Sequence, residues 1–161
     1  MGLEKNSLNR LANFSSGIRD TTLKKLKKVP EGFINWRLNN LAMSFGDIAQ
    51  HLINVDELLF SLATTRKKKF KWTLGTEAPH LNVDKSTYEF KLKKLKEFQL
   101  KRHSIVASFN DSALNDIVID DIGQKMTLWW FLMHKVIEHE VYHTGQISAY
   151  LKVLKGETSV F

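Results

Sequence analysis

The chain has 161 residues, of which 43% are apolar and 25% are charged, so we expect one folded domain over residues 1–161. It contains no cysteine, which excludes disulfide bonds, thiolate metal ligands and a cysteine nucleophile. The formal net charge of +7 admits nucleic-acid binding. No nucleic-acid-binding motif accompanies the basic runs, however, and we interpret them as solvated faces rather than as a nucleic-acid site.

The sequence contains no targeting or membrane segment that we recognise. The segment Met1–Ala12 lacks the apolar region of a secretory signal. No apolar stretch approaches the roughly 18 residues of a membrane span. We therefore expect a cytoplasmic protein with no membrane partner.

Helix-period apolar residues predict four long helices, in keeping with only two prolines and eight glycines. Ser44 is predicted to cap the second helix, with Asp47 as its partner in a capping box. Thr127 is predicted to cap the fourth helix, and Gly156 to end it. We expect the helices at about 3–28, 44–63, 84–109 and 127–155, with Asp84 or Ser86 opening the third.

The segment between the third and fourth helices is too short for another helix. Its alternating run Ile117–Ile119, followed by Gly123, suggests a short β-hairpin near 115–125. The predicted fold class is therefore all-α, a four-helix bundle with this small hairpin as its only sheet.

The strongest functional signal is the histidine pair His139 and His143 on the fourth helix. At positions i and i+4 the two side chains lie on one face, about 5–6 Å apart at Cβ. That face is otherwise apolar and includes Val136 and Ile147, so both rings point inward. Two buried imidazoles each need a polar partner, and a shared divalent cation provides one for both.

A tight metal site needs a third protein ligand, and the residue pattern leaves several candidates open. They are His51, His80, His103, His134 and the carboxylates. His51 lies on a mostly apolar side of the second helix, where a lone histidine is more often a core residue. Three neutral imidazoles would leave open coordination positions, as in catalytic rather than structural sites.

The string His139-Glu140-Val141-Tyr142-His143 also matches the H-E-x-x-H pattern of zinc hydrolases, in which Glu140 would be the general base. Against a peptidase, no edge strand is predicted that would align a peptide substrate. Glu140 lies about 100° around the helix from His139. It either reaches the open side of the ion as a base or faces solvent.

The run from His139 to Ile147, HEVYHTGQI, followed by Leu151 and Gly156, resembles the last helix of the DinB-like (DinB/YfiT) superfamily. An upstream block, with Asn35-Trp36-Arg37 and then SFGDIAQHL from Ser44 to Leu52, is similar to the second block of that family. The resemblance covers about Leu8 to Gly156 in matching order. Thr144 departs from it, because the family often has arginine there.

The resemblance implies an up-down-down-up bundle with a long crossover and a divalent ion, zinc or nickel, held by His51, His139 and His143. It also implies a homodimer. A second apolar side of the fourth helix, which includes Trp130 and Val141, is then either a dimer face or is packed against the crossover.

The function expected from these features is a metal-dependent enzyme acting on a small-molecule substrate. The resemblance favours a transferase that uses a low-molecular-weight thiol, and the H-E-x-x-H string favours a hydrolase. The alternative is a stress or binding protein that the metal only stabilises. We do not expect a nucleic-acid partner.

Overall fold

The computed structural model describes residues 5–65, 67–72 and 80–156. Helices dominate it, which confirms the predicted all-α class, and one short hairpin accompanies them. In chain order the elements are α1 (Lys5–Leu26), α2 (Phe45–Thr64), α3 (Lys85–Ser108), α4 (Asp111–Leu114), β1 (Ile117–Ile119), β2 (Lys125–Thr127), α5 (Leu128–Trp130), a π-helical stretch (Phe131–Glu138) and α6 (His139–Leu154).

The helix ends follow the predicted capping residues. The Ser44 hydroxyl accepts from the Asp47 backbone N–H, and the Ser44 N–H donates to the Asp47 carboxylate, which completes the capping box of α2. Asp84 and Thr127 likewise accept backbone N–H groups in the first turns of α3 and α5. Gly156, with φ of 72°, follows α6 in the left-handed conformation that favours glycine.

The long helices pack as an up-down-down-up bundle, as the resemblance implied. Because α1 is antiparallel to α3 but parallel to α6, and α2 is parallel to α3, the crossover between α2 and α3 must span the length of the bundle. The pairs that fix these directions are Asn13–His103 and Asp20–Lys96 for α1 with α3, Gln50–Lys91 and Glu57–Lys94 for α2 with α3, and Thr22–Thr144 and Lys25–Ser148 for α1 with α6.

The predicted fourth helix is one continuous helical run from residue 128 to 154, but its middle is a π-helical stretch over Phe131–Glu138. The backbone dihedrals at both junctions stay right-handed, with φ −60° and ψ −43° at Trp130 and φ −61° and ψ −40° at His139. Stretches of this kind often occur at functional sites. Here the stretch ends immediately before His139. Nothing in the residue pattern accounts for it.

The predicted hairpin is present, with β1 antiparallel to β2 and Val118 opposite Met126. A third strand-like segment joins it, because Phe70 donates its N–H to the Ile119 carbonyl and Ile119 donates to the Lys68 carbonyl. The expectation of no further helix before the hairpin was wrong. α4 is a single turn capped by Asn110, and so short a turn needs only a capping side chain, not an amphipathic period.

The interior consists of two apolar cores with a polar layer between them. One core lies at the hairpin end of the bundle and includes Val118 and Phe131, and the other lies at the opposite end and includes Phe45 and Ile147. All four long helical segments contribute to both cores. Where each helix passes from one core to the other, it contributes buried polar side chains. This polar layer comprises Ser15, Arg19 and Thr22 of α1, His51 and Asp56 of α2, Gln99 and Arg102 of α3, and Glu140 and His143 of α6.

No helix in the described ranges combines the length and apolar character that crossing a bilayer requires.

We expect Ser44→Ala to lower the free energy of unfolding by about 1 kcal/mol, because the first turn of α2 loses its capping hydroxyl. Urea denaturation of the full chain measures this change. Ser86→Ala is the matched control, since Ser86 lies exposed in the first turn of α3 and is not its cap. Equal losses in the two variants would show that the capping box does not stabilise α2.

Candidate metal centre

Three imidazole rings from two distant parts of the chain converge at the edge of the polar layer. The Nε2 atom of His139 lies 2.6 Å from Nε2 of His51 and 3.0 Å from Nε2 of His143. Within the described ranges, these histidines are the only group of three or more potential metal ligands whose donor atoms come together, all within 4.8 Å of one another. The structure thus brings together the three residues that the resemblance named.

Regular helix geometry positions each of these rings. His51 lies on the buried side of α2, where its neighbours Ile48 and Leu52 are almost fully buried. His139 and His143 are one turn apart at the start of α6, so their side chains stack along one face. His51 and His143 are each only 3% exposed. The site therefore forms where α2 and α6 lie against each other inside the bundle.

Gln146 fixes the tautomer of His143. The Oε1 atom of Gln146 lies 2.9 Å from Nδ1 of His143, and its Nε2 donates to the Tyr150 hydroxyl at 2.8 Å. Because an amide oxygen only accepts, Nδ1 of His143 carries the hydrogen and Nε2 presents its lone pair. That lone pair points toward the other two rings, as a metal ligand requires.

The surroundings of two of the rings favour their neutral form. Burial, the neighbouring His143 and Lys135 lower the pKa of His139 to about 4, although Glu140 opposes this shift. Burial also lowers the pKa of His143, and the Gln146 hydrogen bond and Glu140 act in the opposite direction. Near neutral pH both imidazoles therefore have a free lone pair, the form in which histidine binds metals.

A divalent cation fits this donor set. Nε2 of His139 faces Nε2 of His51 at 2.6 Å and Nε2 of His143 at 3.0 Å, and one shared cation accepts the lone pairs of all three atoms. Nitrogens at about 2.0–2.1 Å from one zinc ion at tetrahedral angles lie roughly 3.3 Å apart, so these two contacts need to lengthen by less than about 1 Å. Imidazole donors suit zinc, nickel, copper and iron alike.

Trp72 forms an aromatic wall beside the histidines that the sequence analysis missed. Its ring lies edge-on to His139 with centroids 5.4 Å apart and to His51 at 6.4 Å. The Lys135 ammonium lies 4.5 Å from the centre of the same ring. The signal available in the sequence was only an aromatic residue at the end of a basic run, and no periodicity links such a residue to the distant histidines.

An open cavity of about 400 Å³ leads to the histidines. Among its described lining residues there is no Asp, Glu, Lys or Arg, and the polar groups besides the imidazoles are the amides of Asn39 and Gln146 and the hydroxyl of Tyr142. Leu41 at its rim is 96% exposed and Tyr142 is 67% exposed, so the opening presents large side chains with both apolar and polar surface. The lining residues are Asn39, Leu41, Ala42, Met43, His51, His139, Tyr142, His143 and Gln146.

The other candidate ligands lie elsewhere. His103 on α3 contacts the Asn13 amide at 2.8 Å, and His80 is exposed in the crossover. His134 occupies an exposed face of the π-helical stretch, where its Nδ1 lies 2.6 Å from a carboxylate oxygen of Glu138. None of the three belongs to the cluster of converging rings.

Glu140 faces neither solvent nor the centre of the histidine cluster, contrary to both expectations for it. Its side chain is 1% exposed and accepts from Arg19 at 2.7 and 3.0 Å and from Arg102 at 2.7 Å. Burial alone would raise the pKa of Glu140, but Arg102 and Arg19 outweigh it and lower this pKa to about 2. A carboxylate held so firmly in its ionised form by two guanidinium groups is poorly suited to accept a proton as a general base.

Asp47 connects the start of α2 to two other segments besides completing its capping box. One carboxylate oxygen accepts from Arg37 at 2.7 Å and from the Ser44 N–H at 2.8 Å. The other accepts from the Leu81 N–H at 2.9 Å. Asp47 therefore ties the crossover and the loop before α2 to the start of the helix that carries His51.

Comparison with known proteins agrees with this architecture. A sequence model of the DinB family matches residues 5–160. The crystal structure of a DinB-like protein, YjoA from Bacillus subtilis, superposes with a TM-score of 0.66 over 94% of this chain and 95% of that one, at 16% sequence identity. At that identity the structural likeness concerns the fold alone. No curated protein matches the chain.

We expect Glu140→Gln to lower the free energy of unfolding by about 3–5 kcal/mol at neutral pH, because it leaves two buried guanidinium groups short of a negative partner. The folded pKa of Glu140 is about 2, below its ordinary 4.5, so its contribution is present above pH 4.5 and is lost as the pH falls toward 2. Denaturant unfolding across this range should show the two proteins converging in stability at low pH.

The matched control is Glu138→Gln, two residues earlier in the same helical run, where the side chain is 70% exposed and contacts His134. We expect a change within about 0.5 kcal/mol there. A Glu140→Gln protein as stable as wild type would contradict the assigned ion pairs.

Proposed function

The chain belongs to the DinB family, and from this premise we propose that it binds one divalent metal ion, zinc or nickel, through His51, His139 and His143. We further propose that the ion is catalytic and that the protein is a metal-dependent transferase or hydrolase with a small-molecule substrate. The observation that carries the proposal is the convergence of the three Nε2 atoms at the base of an open cavity.

The cavity supports a catalytic rather than a purely structural role for the ion. Structural metal sites are closed, with every coordination position taken by the protein, whereas catalytic sites keep a position open. Here three protein ligands come together, and a cavity of about 400 Å³ gives access to them. A protein that the ion only stabilised would have no use for such an opening.

A divalent ion held by neutral imidazoles supplies a Lewis acid that activates water or a thiol as a nucleophile near neutral pH. The chain's own residues prepare the site for it. Gln146 holds His143 in the required tautomer, and the ring of Trp72 packs edge-on against His139. Because the chain has no cysteine, a thiol nucleophile must come from a separate low-molecular-weight compound.

The cavity lining supports a small substrate without strong charge. Leu41, Met43 and Tyr142 offer apolar contact, and the amides of Asn39 and Gln146 offer hydrogen bonds. No described side chain of the lining carries a fixed charge that would select an anionic or cationic substrate.

The homodimer and the cytoplasmic location expected from the sequence are also proposals. On the second apolar side of the fourth helix, Ile137 is buried within the chain. Trp130 is 38% exposed and Val141 is 50% exposed, which supports a face available to a second copy.

We expect the purified wild-type chain to bind one zinc or nickel ion per molecule, and His51→Ala, His139→Ala and His143→Ala each to lose most of it. Isothermal titration of the metal into the metal-free protein measures the stoichiometry. His134→Ala is the matched control, because this histidine lies on the same helical run but is half exposed and outside the cluster.

Wild type that binds no ion, or histidine variants that bind as well as His134→Ala, would contradict the proposed site.

We expect a thiol to coordinate the ion if the protein is a thiol-dependent transferase. Cobalt-substituted protein, titrated with glutathione as the probe, should develop a thiolate-to-cobalt charge-transfer band that His143→Ala does not show. An unchanged spectrum at saturating glutathione would contradict the thiol-dependent reaction and leave the hydrolase as the proposed activity.

A further inference from the structure

Beneath the three histidines, four charged side chains form a buried cluster that the proposed reaction does not use. The charge cluster consists of Arg19 of α1, Asp56 of α2, Arg102 of α3 and Glu140 of α6, each at most 2% exposed. It is the only place where side chains of all four helices meet through ion pairs in the described part of the chain.

The two arginines bridge the two acids. Arg19 contacts Glu140 through Nε and Nη2, and Asp56 through Nη1 at 2.9 Å. Arg102 uses a single nitrogen, Nη1, to reach both Asp56 at 3.1 Å and Glu140 at 2.7 Å. Each arginine also donates to a backbone carbonyl on a neighbouring helix, Arg19 to Leu95 and Arg102 to Ser15.

The acids of the charge cluster lie on the helices that carry the metal ligands. Asp56 follows His51 by five residues on α2, and Glu140 follows His139 directly on α6. The arginines thus connect α2 to α6 through charge-assisted hydrogen bonds a short distance from the imidazoles. These bonds have a fixed length and direction, which apolar contacts between helices do not have.

Stability alone does not explain these charges. Burying four ions is costly, and replacing a buried ion pair by apolar side chains of similar volume is often neutral or stabilising. The two apolar cores above and below the polar layer show that this bundle packs well without charge. A geometric benefit accounts for the charge cluster, because the metal site needs α2 and α6 at one particular separation and rotation.

We propose that Arg19 and Arg102 are positioning residues for the metal centre. Through Asp56 and Glu140 they hold α2 and α6 so that His51 meets His139 and His143. This inference rests on the proposed metal site and adds to it the residues that organise it. Outer groups that orient metal ligands typically change metal affinity by 10- to 100-fold when they are removed.

Variants that change the net charge of the cluster in opposite directions distinguish a positioning role from an electrostatic effect on metal affinity. Two arginines and two acids sum to zero, so the intact cluster neither attracts nor repels a dication. Asp56→Asn leaves a net charge of +1 beneath the ion, and Arg102→Met leaves −1. A purely electrostatic cluster would weaken metal binding in the first variant and strengthen it in the second.

A double variant removes the link without leaving an unpaired charge. Asp56→Leu with Arg102→Met keeps the two-bond contact between Arg19 and Glu140 and leaves the cluster neutral. Because no buried ion loses its only partner, we expect this protein to fold. It lacks both of the Asp56 ion pairs that connect α2 to the rest of the cluster.

The test is the zinc dissociation constant of folded, metal-free protein, measured by titration against a competing chelator. Circular dichroism at the same temperature confirms that each protein is folded. We expect both single variants and the double variant to bind zinc at least about tenfold more weakly than wild type. Leu8→Ala is the control for lost stability, since Leu8 is a buried apolar residue three turns before Arg19 on α1, and it should bind zinc like wild type.

Three results would overturn the inference. The first is a folded double variant with wild-type affinity, and the second is single variants that shift in opposite directions. The third is a wild-type chain that binds no zinc or nickel, which would overturn the proposed function as well. If wild type binds the ion and the variants bind it equally tightly, only the positioning role is overturned and the proposed metal site stands.

Discussion

A polar layer inside an apolar bundle is the constraint on which the rest of this structure depends. Each long helical segment passes from one apolar core to the other and places buried polar side chains at the level between them. Such groups are costly to bury unless they are paired. The four charges pair with one another, and the three imidazoles turn their Nε2 atoms toward a common point. At this level of the bundle, polar side chains replace apolar packing and form the candidate metal site.

The local features of the fold were predictable from the sequence because they depend on nearby residues. The capping box of Ser44 and Asp47, the hairpin at Ile117–Ile119 and the stacking of His139 on His143 each follow from spacings of a few positions. The third ligand was not fixed in this way. Residue spacing left four histidines and the carboxylates open, and the resemblance to a known family selected His51.

The partners of Glu140 were not predictable, because they lie 121 and 38 positions away in the chain. A partial signal was present. The buried positions of α1 recur at Leu8, Ala12, Ser15 and Arg19, so an arginine lies on the buried face of the helix. A buried arginine requires a buried acid, but the sequence offers many acids and no means of choosing among them. The same helix shows the limit of apolar periodicity, since Phe14 is 59% exposed while the neighbouring Ser15 is buried.

The central claim is that three imidazoles from α2 and α6 hold one ion. X-ray absorption at the metal edge of zinc- or nickel-loaded protein tests it most directly, because multiple scattering identifies imidazole rings and counts them. The account predicts three imidazole nitrogens at about 2.0–2.1 Å, with the remaining positions filled by light atoms from solvent. A metal surrounded only by oxygen donors, or by a single imidazole, would contradict it.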